Sequence, residues 1–301
     1  MLPEGADTVV PQEDTQFDNT TVKIYNVKKQ YQNIRFKGEE FKIGDLLLKK
    51  GTYLQPQQIG LLASTGVLTV PIFLPPKVSV IITGSELVSS GSKIKVGQIW
   101  DSNKVMLSSA IANAGGELVL KETVGDSLEK TQKLLKEASG QSDIIIFSGG
   151  VSVGPHDFVK EAAEQEGFKT LFWKVWQKPG KPLYFARKGT TLLFGLPGNP
   201  VSAYMCYLFY IMPVIEYLQG VKKSLKVIQG EISEFIENKT DRVQLFRIKL
   251  TKARDLEQPK VEPIEKQGSH MLSSLTQADG FIILETDAQI SKGDLVKVFL
   301  F

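Results

Sequence analysis

The sequence predicts an α/β fold: a doubly wound, mostly parallel sheet flanked by a mixed β-rich N-terminal region and a small C-terminal β-barrel. Three observations carry this expectation. From Lys77 onward, apolar β-branched runs alternate three times with helical stretches, the pattern of parallel strands joined by crossover helices. The run Ile144-Ile145-Ile146-Phe147 is apolar without interruption, as a strand buried on both faces should be. Beyond Gly220 the character changes to short strand-like runs separated by turn residues.

In order, residues 1–29 read as the remnant of a β-rich domain. Strands are expected over 7–11 (D-T-V-V-P) and 21–27 (T-V-K-I-Y-N-V). Residues 30–75 read as an elongated linker or dimerisation region, with a short helix over 55–64 that has Pro56 in its first turn. Pro71, Pro75 and Pro76 mark its end. Residues 76–220 form the α/β domain. Strand 78–82 runs into Thr83-Gly84-Ser85-Glu86. Asp101-Ser102-Asn103 then caps a helix over 104–114, closed by Gly115-Gly116. A strand from Leu118 ends at Val124-Gly125-Asp126, and Ser127 caps a helix over 128–138. The buried strand of residues 144–147 leads into a glycine-rich turn, then a helix that starts near Asp157. A strand over 191–194 precedes Gly195-Leu196-Pro197-Gly198-Asn199-Pro200, with Asn199 as cap of a helix over 201–217. Residues 221–301 form the barrel, and Gly293-Asp294 turns into its last strand.

Ligands of doubly wound sheets bind beyond the carboxyl ends of the strands. The turn after residue 147 supplies Ser148, Gly149, Gly150, Val151, Ser152, Val153 and Gly154, a backbone suited to an anion. Asp157 then stands where it would repel a phosphate. It is either a helix cap or the partner of a cation. Glu86, Asp126 and Asp157 all follow strand ends, so they are expected to share one rim and to favour a bound cation. Lys178 and Lys181, stiffened by Pro179, Gly180 and Pro182, form a cationic loop fit for oxyanions. In the barrel, Arg247 and the loop 267–270 with Ser269 are the candidates.

Composition excludes several classes. Apolar content of 42% and charged content of 23% are those of a globular protein, and a net charge of +3 argues for neither nucleic acid nor an acidic membrane surface. One cysteine, Cys206, and two histidines leave no thiolate or imidazole metal site, so a metal would be bound by oxygen, as Mg²⁺ is. The N-terminus has no secretory pattern. The apolar stretch 201–218 is interrupted by Pro213 and Glu216 and reads as a buried helix rather than a membrane span, so a cytoplasmic location is expected.

Seven stretches together resemble a known family: 2–14 (L-P-E-G-A-D-T-V-V-P-Q-E-D), 83–87 (T-G-S-E-L), 97–103 (G-Q-I-W-D-S-N), 148–157, 178–183 (K-P-G-K-P-L), 195–203 (G-L-P-G-N-P-V-S-A) and 268–274 (G-S-H-M-L-S-S). In this order they resemble the molybdopterin molybdenumtransferases of molybdenum cofactor synthesis, which include the C-terminal domain of gephyrin. The resemblance implies a molybdopterin-binding type of α/β domain. It also implies insertion of molybdate into adenylyl-molybdopterin with Mg²⁺ and release of AMP, by an elongated homodimer whose cleft is completed by the partner subunit. On that basis Asp126 and Asp157, with Glu86 nearby, are expected to hold Mg²⁺, and Lys178 and Lys181 to hold oxyanions. Thr83, Gly84, Ser148, Gly149, Gly150, Val151, Ser152, Gly154, Pro197, Gly198, Asn199 and Pro200 are expected to hold the molybdopterin nucleotide, with Arg247 and Ser269 contributing from the barrel. No protein nucleophile is needed, because dithiolene sulfurs can take the metal.

Two departures stand out. The family carries S-x-D-G-Y-A-type and R-x-x-T-G-A motifs before L-P-x-G-A-D, and neither precedes Leu2-Pro3 here. The resemblance therefore implies nucleotide binding with impaired molybdate insertion. Pro155-His156 also replaces the small or acidic residues common before the aspartate. The alternatives are a molybdopterin adenylyltransferase, which lacks the later loops and the barrel, and a gephyrin-like scaffold that binds a partner peptide. Competence-damage-inducible relatives share only the earlier motifs.

Overall fold

The structure is a computed structural model that describes residues 2–152, 154, 157–221, 225–251 and 258–301. Pro155 and His156 lie outside the described residues. The chain forms two compact units, Met1–Thr52 and Tyr53–Phe301.

In the first unit, β1 (Thr15–Phe17) pairs antiparallel with β2 (Val22–Ile24). The Asp18 carboxylate closes their turn, accepting from the backbone and hydroxyl groups of Thr20 and Thr21. Those donors, the Thr20 amide foremost, draw its pKa down to about 2. The strand expected over 7–11 does not form. Val9 N donates to Gln32 O and Tyr31 N to Asp7 O, isolated bonds rather than a ladder, and Pro11 has no N–H to extend one. The second strand stops at Ile24, because Asn26 turns to a left-handed φ of 57°.

The second unit begins with α1 (Pro56–Ser64), opened by Gln55 and Gln58 in a reciprocal capping box. Then come β3 (Lys77–Thr83), β4 (Leu87–Val88), β5 (Ile99–Trp100), α2 (Asn103–Asn113), β6 (Glu117–Val124), α3 (Leu128–Ser139) and β7 (Ile144–Ser148). They are followed by α4 (Val159–Gln165), β8 (Lys169–Trp173), β9 (Gln177–Lys178), β10 (Tyr184–Lys188), β11 (Thr191–Leu196), α5 (Pro200–Cys206) and α6 (Met212–Leu218). The main sheet has the order β6-β3-β7-β11-β10-β8. Only β10 runs against its neighbours. The chain leaves β3 to one side for β6 and returns on the other side as β7, so the topological switch point lies between β3 and β7.

Residues 144–147 are all 0% exposed, because helices cover both faces. One face packs on Leu107, Ile111, Val201, Tyr207 and Ile211, the other on Leu135, Val159 and Ala162. The helix expected over 201–217 is interrupted by a π-helical turn, Tyr207–Ile211, before Met212. Pro213 explains it: its ring cannot follow a regular α-turn, and the wider turn absorbs the clash. By length and composition Pro200–Leu218 could cross a membrane, but more than half of it is buried inside this unit.

The barrel consists of β12 (Val227–Ile232), β13 (Ile236–Glu237), β14 (Val243–Thr251), β15 (Lys260–Pro263), α7 (Ser273–Gln277), β16 (Gly280–Leu284), β17 (Gln289–Ile290) and β18 (Leu295–Leu300). The order β15-β12-β18-β16-β14 closes through β14 pairing back to β15. Ile232, Ile248, Val261, Ile282 and Val298 fill it. The short β9 joins this second sheet alongside β14, with Lys178 opposite Gln244. Leu245 and Phe281 extend the core that lies under α5 and α6. The core of the α/β domain thus reaches β14 and β16, while the barrel interior forms a core of its own.

Candidate functional site

The site is built at the switch point. β7 ends at Ser148, which is 0% exposed, and Gly149 and Gly150 follow with φ of 93° and 65°. Both values lie in the left-handed region, which favours glycine. A Cβ on Gly149 would also stand 2.5 Å from the Thr83 carbonyl oxygen, and one on Gly150 would stand 2.8 Å from Thr83 Oγ1. The turn thus lies directly on the end of β3. Trp173 Nε1 donates to Val151 O at 3.0 Å and pins the far side of the loop. Ser152 and Gly154 are exposed.

This loop is tied to the one before α5. Gly149 N donates to Leu196 O at 2.9 Å, and Ser148 Oγ donates to Pro197 O at 3.1 Å. Asn103, at the start of α2, donates from Nδ2 to Ser148 Oγ at 2.9 Å and to Gly198 O at 2.7 Å. The sequence marks Asn103 only as a capping residue. Its contact with two distant loops has no local signal.

The three carboxylates follow strand ends on one edge of the sheet, in different local settings. Ser85 N donates to Asp126 Oδ2 at 3.3 Å and Ser85 Oγ accepts from Asp126 N at 3.0 Å, which clasps the ends of β3 and β6. Glu86 is exposed beside this clasp. Asp157 is half-buried, and its Oδ2 accepts from Gly154 N at 2.6 Å. It therefore braces its own loop and is not the residue that caps α4, whose cap position is Phe158. Among the described residues no three His, Cys, Asp or Glu side chains gather closely enough to hold a metal ion. The reason is strand spacing. β3 separates β6 from β7, which places the two strand ends about 10 Å apart, and each aspartate is already turned to a local N–H.

The cationic loop is held from below. Gln177, 6% exposed, donates to Pro179 O at 3.0 Å and accepts from the Tyr210 hydroxyl. Lys181 Nζ lies 4.7 Å from the centre of the exposed Trp176 ring, a cation–π contact. Lys178 is half-buried, at the seam where β9 meets the barrel. Beneath them, burial pushes the Cys206 thiol up to about 12, so it is protonated at neutral pH and is no nucleophile.

One expectation about the α5 end needs correction. Asn199 makes no capping bond; its amide donates to Ser269 Oγ at 3.1 Å. Val201 N is taken by Ser269 O at 3.1 Å. The barrel loop therefore occupies this helix start. Arg247 is likewise no exposed oxyanion binder. It is 0% exposed, and its Nη2 donates to Lys266 O at 3.1 Å and Gly268 O at 3.4 Å. Burial lowers its pKa to about 10, so it remains a cation. Gln267 clasps its backbone on both sides, donating to Arg247 O and accepting from Arg247 N. Arg247 thus supports the Ser269 loop from behind.

These features define a class: an α/β ligand-binding domain whose anion-type loop crosses the switch point, coupled to a barrel that closes one side. Residues 79–217 match the family described as a probable molybdopterin binding domain. Residues 1–66 match the MoeA N-terminal region (domain I and II), and residues 230–301 the MoeA C-terminal region (domain IV). The molybdopterin molybdenumtransferase of Haemophilus influenzae is 35% identical over 301 residues, covering 99% of this chain and 74% of the relative. That of Bacillus subtilis is 36% identical over 220 residues, 72% of this chain and 51% of the relative. Among solved structures, the molybdopterin biosynthesis MoeA protein of Pyrococcus horikosii superposes with a TM-score of 0.82 at 31% identity, over 100% of this chain and 73% of that one. The chain belongs to the molybdopterin molybdenumtransferase family, transferases of molybdenum cofactor biosynthesis. Adenylyltransferase and scaffold readings are not favoured, since relatives matched along nearly the whole chain carry the molybdenumtransferase name.

Proposed function

We propose that this chain binds adenylyl-molybdopterin across the ends of β3 and β7 and inserts molybdate into it, releasing AMP. The observation that carries this is the stitched pair of loops over the switch point, with exposed carboxylates on the β3–β6 side and the Lys178–Lys181 loop on the barrel side. Nucleotide phosphates and molybdate are oxyanions, so lysines and backbone N–H groups suit them. Ser148, Gly149, Gly150, Val151, Ser152 and Gly154 form the cradle, with Thr83 and Gly84 on one flank and Pro197, Gly198, Asn199 and Pro200 on the other. Ser269 reaches the same flank through Asn199.

The donor set fits Mg²⁺: it is all oxygen, and one or two carboxylates with substrate phosphates complete such a site without a three-carboxylate cluster. Asp126 and Asp157 would hold the ion from opposite sides through water, with Glu86 near, and the ion would polarise the pyrophosphate as a Lewis acid. Lys178 and Lys181 bind and orient oxyanions, while the buried Cys206 thiol leaves sulfur chemistry to the dithiolene. We also propose a cytoplasmic homodimer. The exposed Leu68, Ile72, Leu74 and Trp100 support self-association of the second unit.

AMP release and molybdenum transfer, measured with adenylyl-molybdopterin, molybdate and Mg²⁺, test the reading. Asp157→Asn keeps size and removes charge. It should lower turnover about 100-fold and raise the Mg²⁺ concentration needed. Unchanged Mg²⁺ dependence would remove Asp157 from the ion.

A further inference from the structure

We propose that Asn103 is the positioning residue that fixes the separation of the two loops flanking the substrate, a role resting on the functional reading above. Asn103 is 6% exposed. Both N–H groups of its amide are used, one on Ser148 Oγ and one on Gly198 O. The orientation is forced by chemistry, because a carbonyl oxygen at Gly198 can only accept. Ser148, having accepted, donates onward to Pro197 O. One side chain thus joins the end of β7 to the turn before α5.

Asn103 is itself held rigidly. Asp101, 3% exposed, accepts from Lys104 N at 3.0 Å and from the Thr123 hydroxyl at 3.2 Å, which anchors the start of α2 against β6. Asn103 Oδ1 is buried without a partner among the described residues. The two donated bonds are what hold the Asn103 side chain in place. An aspartate at 103 would set a carboxylate against the Gly198 carbonyl, and an aliphatic residue would strand two polar groups. Placement errors near 1 Å at a reacting centre cost about 100-fold in rate, so a tether between substrate loops acts on function more than on folding.

The same helix offers a control. At its other end, Gln219 Nε2 donates to Ala114 O at 2.8 Å and to Ile215 O at 3.0 Å, an equivalent tether on the opposite side of the sheet's strand ends. Asn103→Ala and Gln219→Ala are compared in the full chain by thermal unfolding, by equilibrium binding of adenylyl-molybdopterin, and by hydrogen exchange at Gly149, whose N–H bonds Leu196 O across the junction. Asn103→Ala should weaken binding about 10- to 100-fold and speed Gly149 exchange. Gln219→Ala should lower the melting temperature and leave both readouts alone. Should Asn103→Ala not fold, Asn103→Ser, which keeps one donor, replaces it and should give a smaller change of the same sign. Wild-type affinity together with wild-type Gly149 exchange in a less stable Asn103→Ala protein overturns the proposal. A wild-type chain that binds no adenylyl-molybdopterin overturns the functional reading instead, and the exchange comparison then decides the tether.

Discussion

At the end of β7 the polar side chains face inward. Ser148 is 0% exposed and Asn103 6%, and their bonds run to loops far away in sequence. One strand from β3 on the other side, at the end of β6, Asp126 faces water, and among the described residues its bonds go to the exposed Ser85 on the adjacent strand end, 41 residues away in sequence. Both regions lie on one edge of one sheet. The difference follows from desolvation. A neutral amide or hydroxyl can be buried if every donor finds an acceptor, whereas a carboxylate must stay wet unless a cation joins it. The first region is therefore a preset frame and the second a set of charges free to rearrange around a ligand.

Breaking the frame should cost most at Gly149. Gly149→Ala demands an L-residue at φ 93° and places its Cβ on the Thr83 carbonyl. A loss of about 3 kcal/mol is expected in urea unfolding, and wild-type stability would mean the frame yields easily. Ser148→Ala comes next. It leaves the Pro197 carbonyl without its donor and one Asn103 N–H without an acceptor, a loss of about 1–3 kcal/mol. Combined with Asn103→Ala, the two losses should fall short of their sum, because they share one network. Ser85→Ala should change stability least, by less than about 1 kcal/mol, since water replaces its bonds to Asp126. A loss at Ser85 as large as at Ser148 would erase the contrast between the two regions.

Much of this was legible from local pattern. The apolar run of residues 144–147 predicts β7, and Ser127 predicts the start of α3, where it accepts from Lys130 N. The C-terminal barrel was legible from its short strand runs and turn residues, and it closes through β14 and β15. The 7–11 run failed because β-propensity needs a paired ladder, and none is offered to Val9 and Val10 beyond isolated bonds. Arg247 and Asn199 mark the limit more sharply. Each is a polar residue expected at the site, Asn199 within a motif and Arg247 on a barrel strand, yet Arg247 turns to loop carbonyls and Asn199 to Ser269.

The sequence by itself determined the alternation of strands and helices, the oxygen-only donor set and the motif order that identifies the family. These depend on residue type and near neighbours. The tertiary structure alone decided that the three carboxylates stand apart, that the barrel loop fills the start of α5, and that Asn103 joins Ser148 to Gly198. Those outcomes depend on which strands become neighbours and on the burial that follows, across separations of 45 and 95 residues for the two Asn103 bonds. No local preference encodes such contacts, because their free energy exists only once the sheet has brought the loops together.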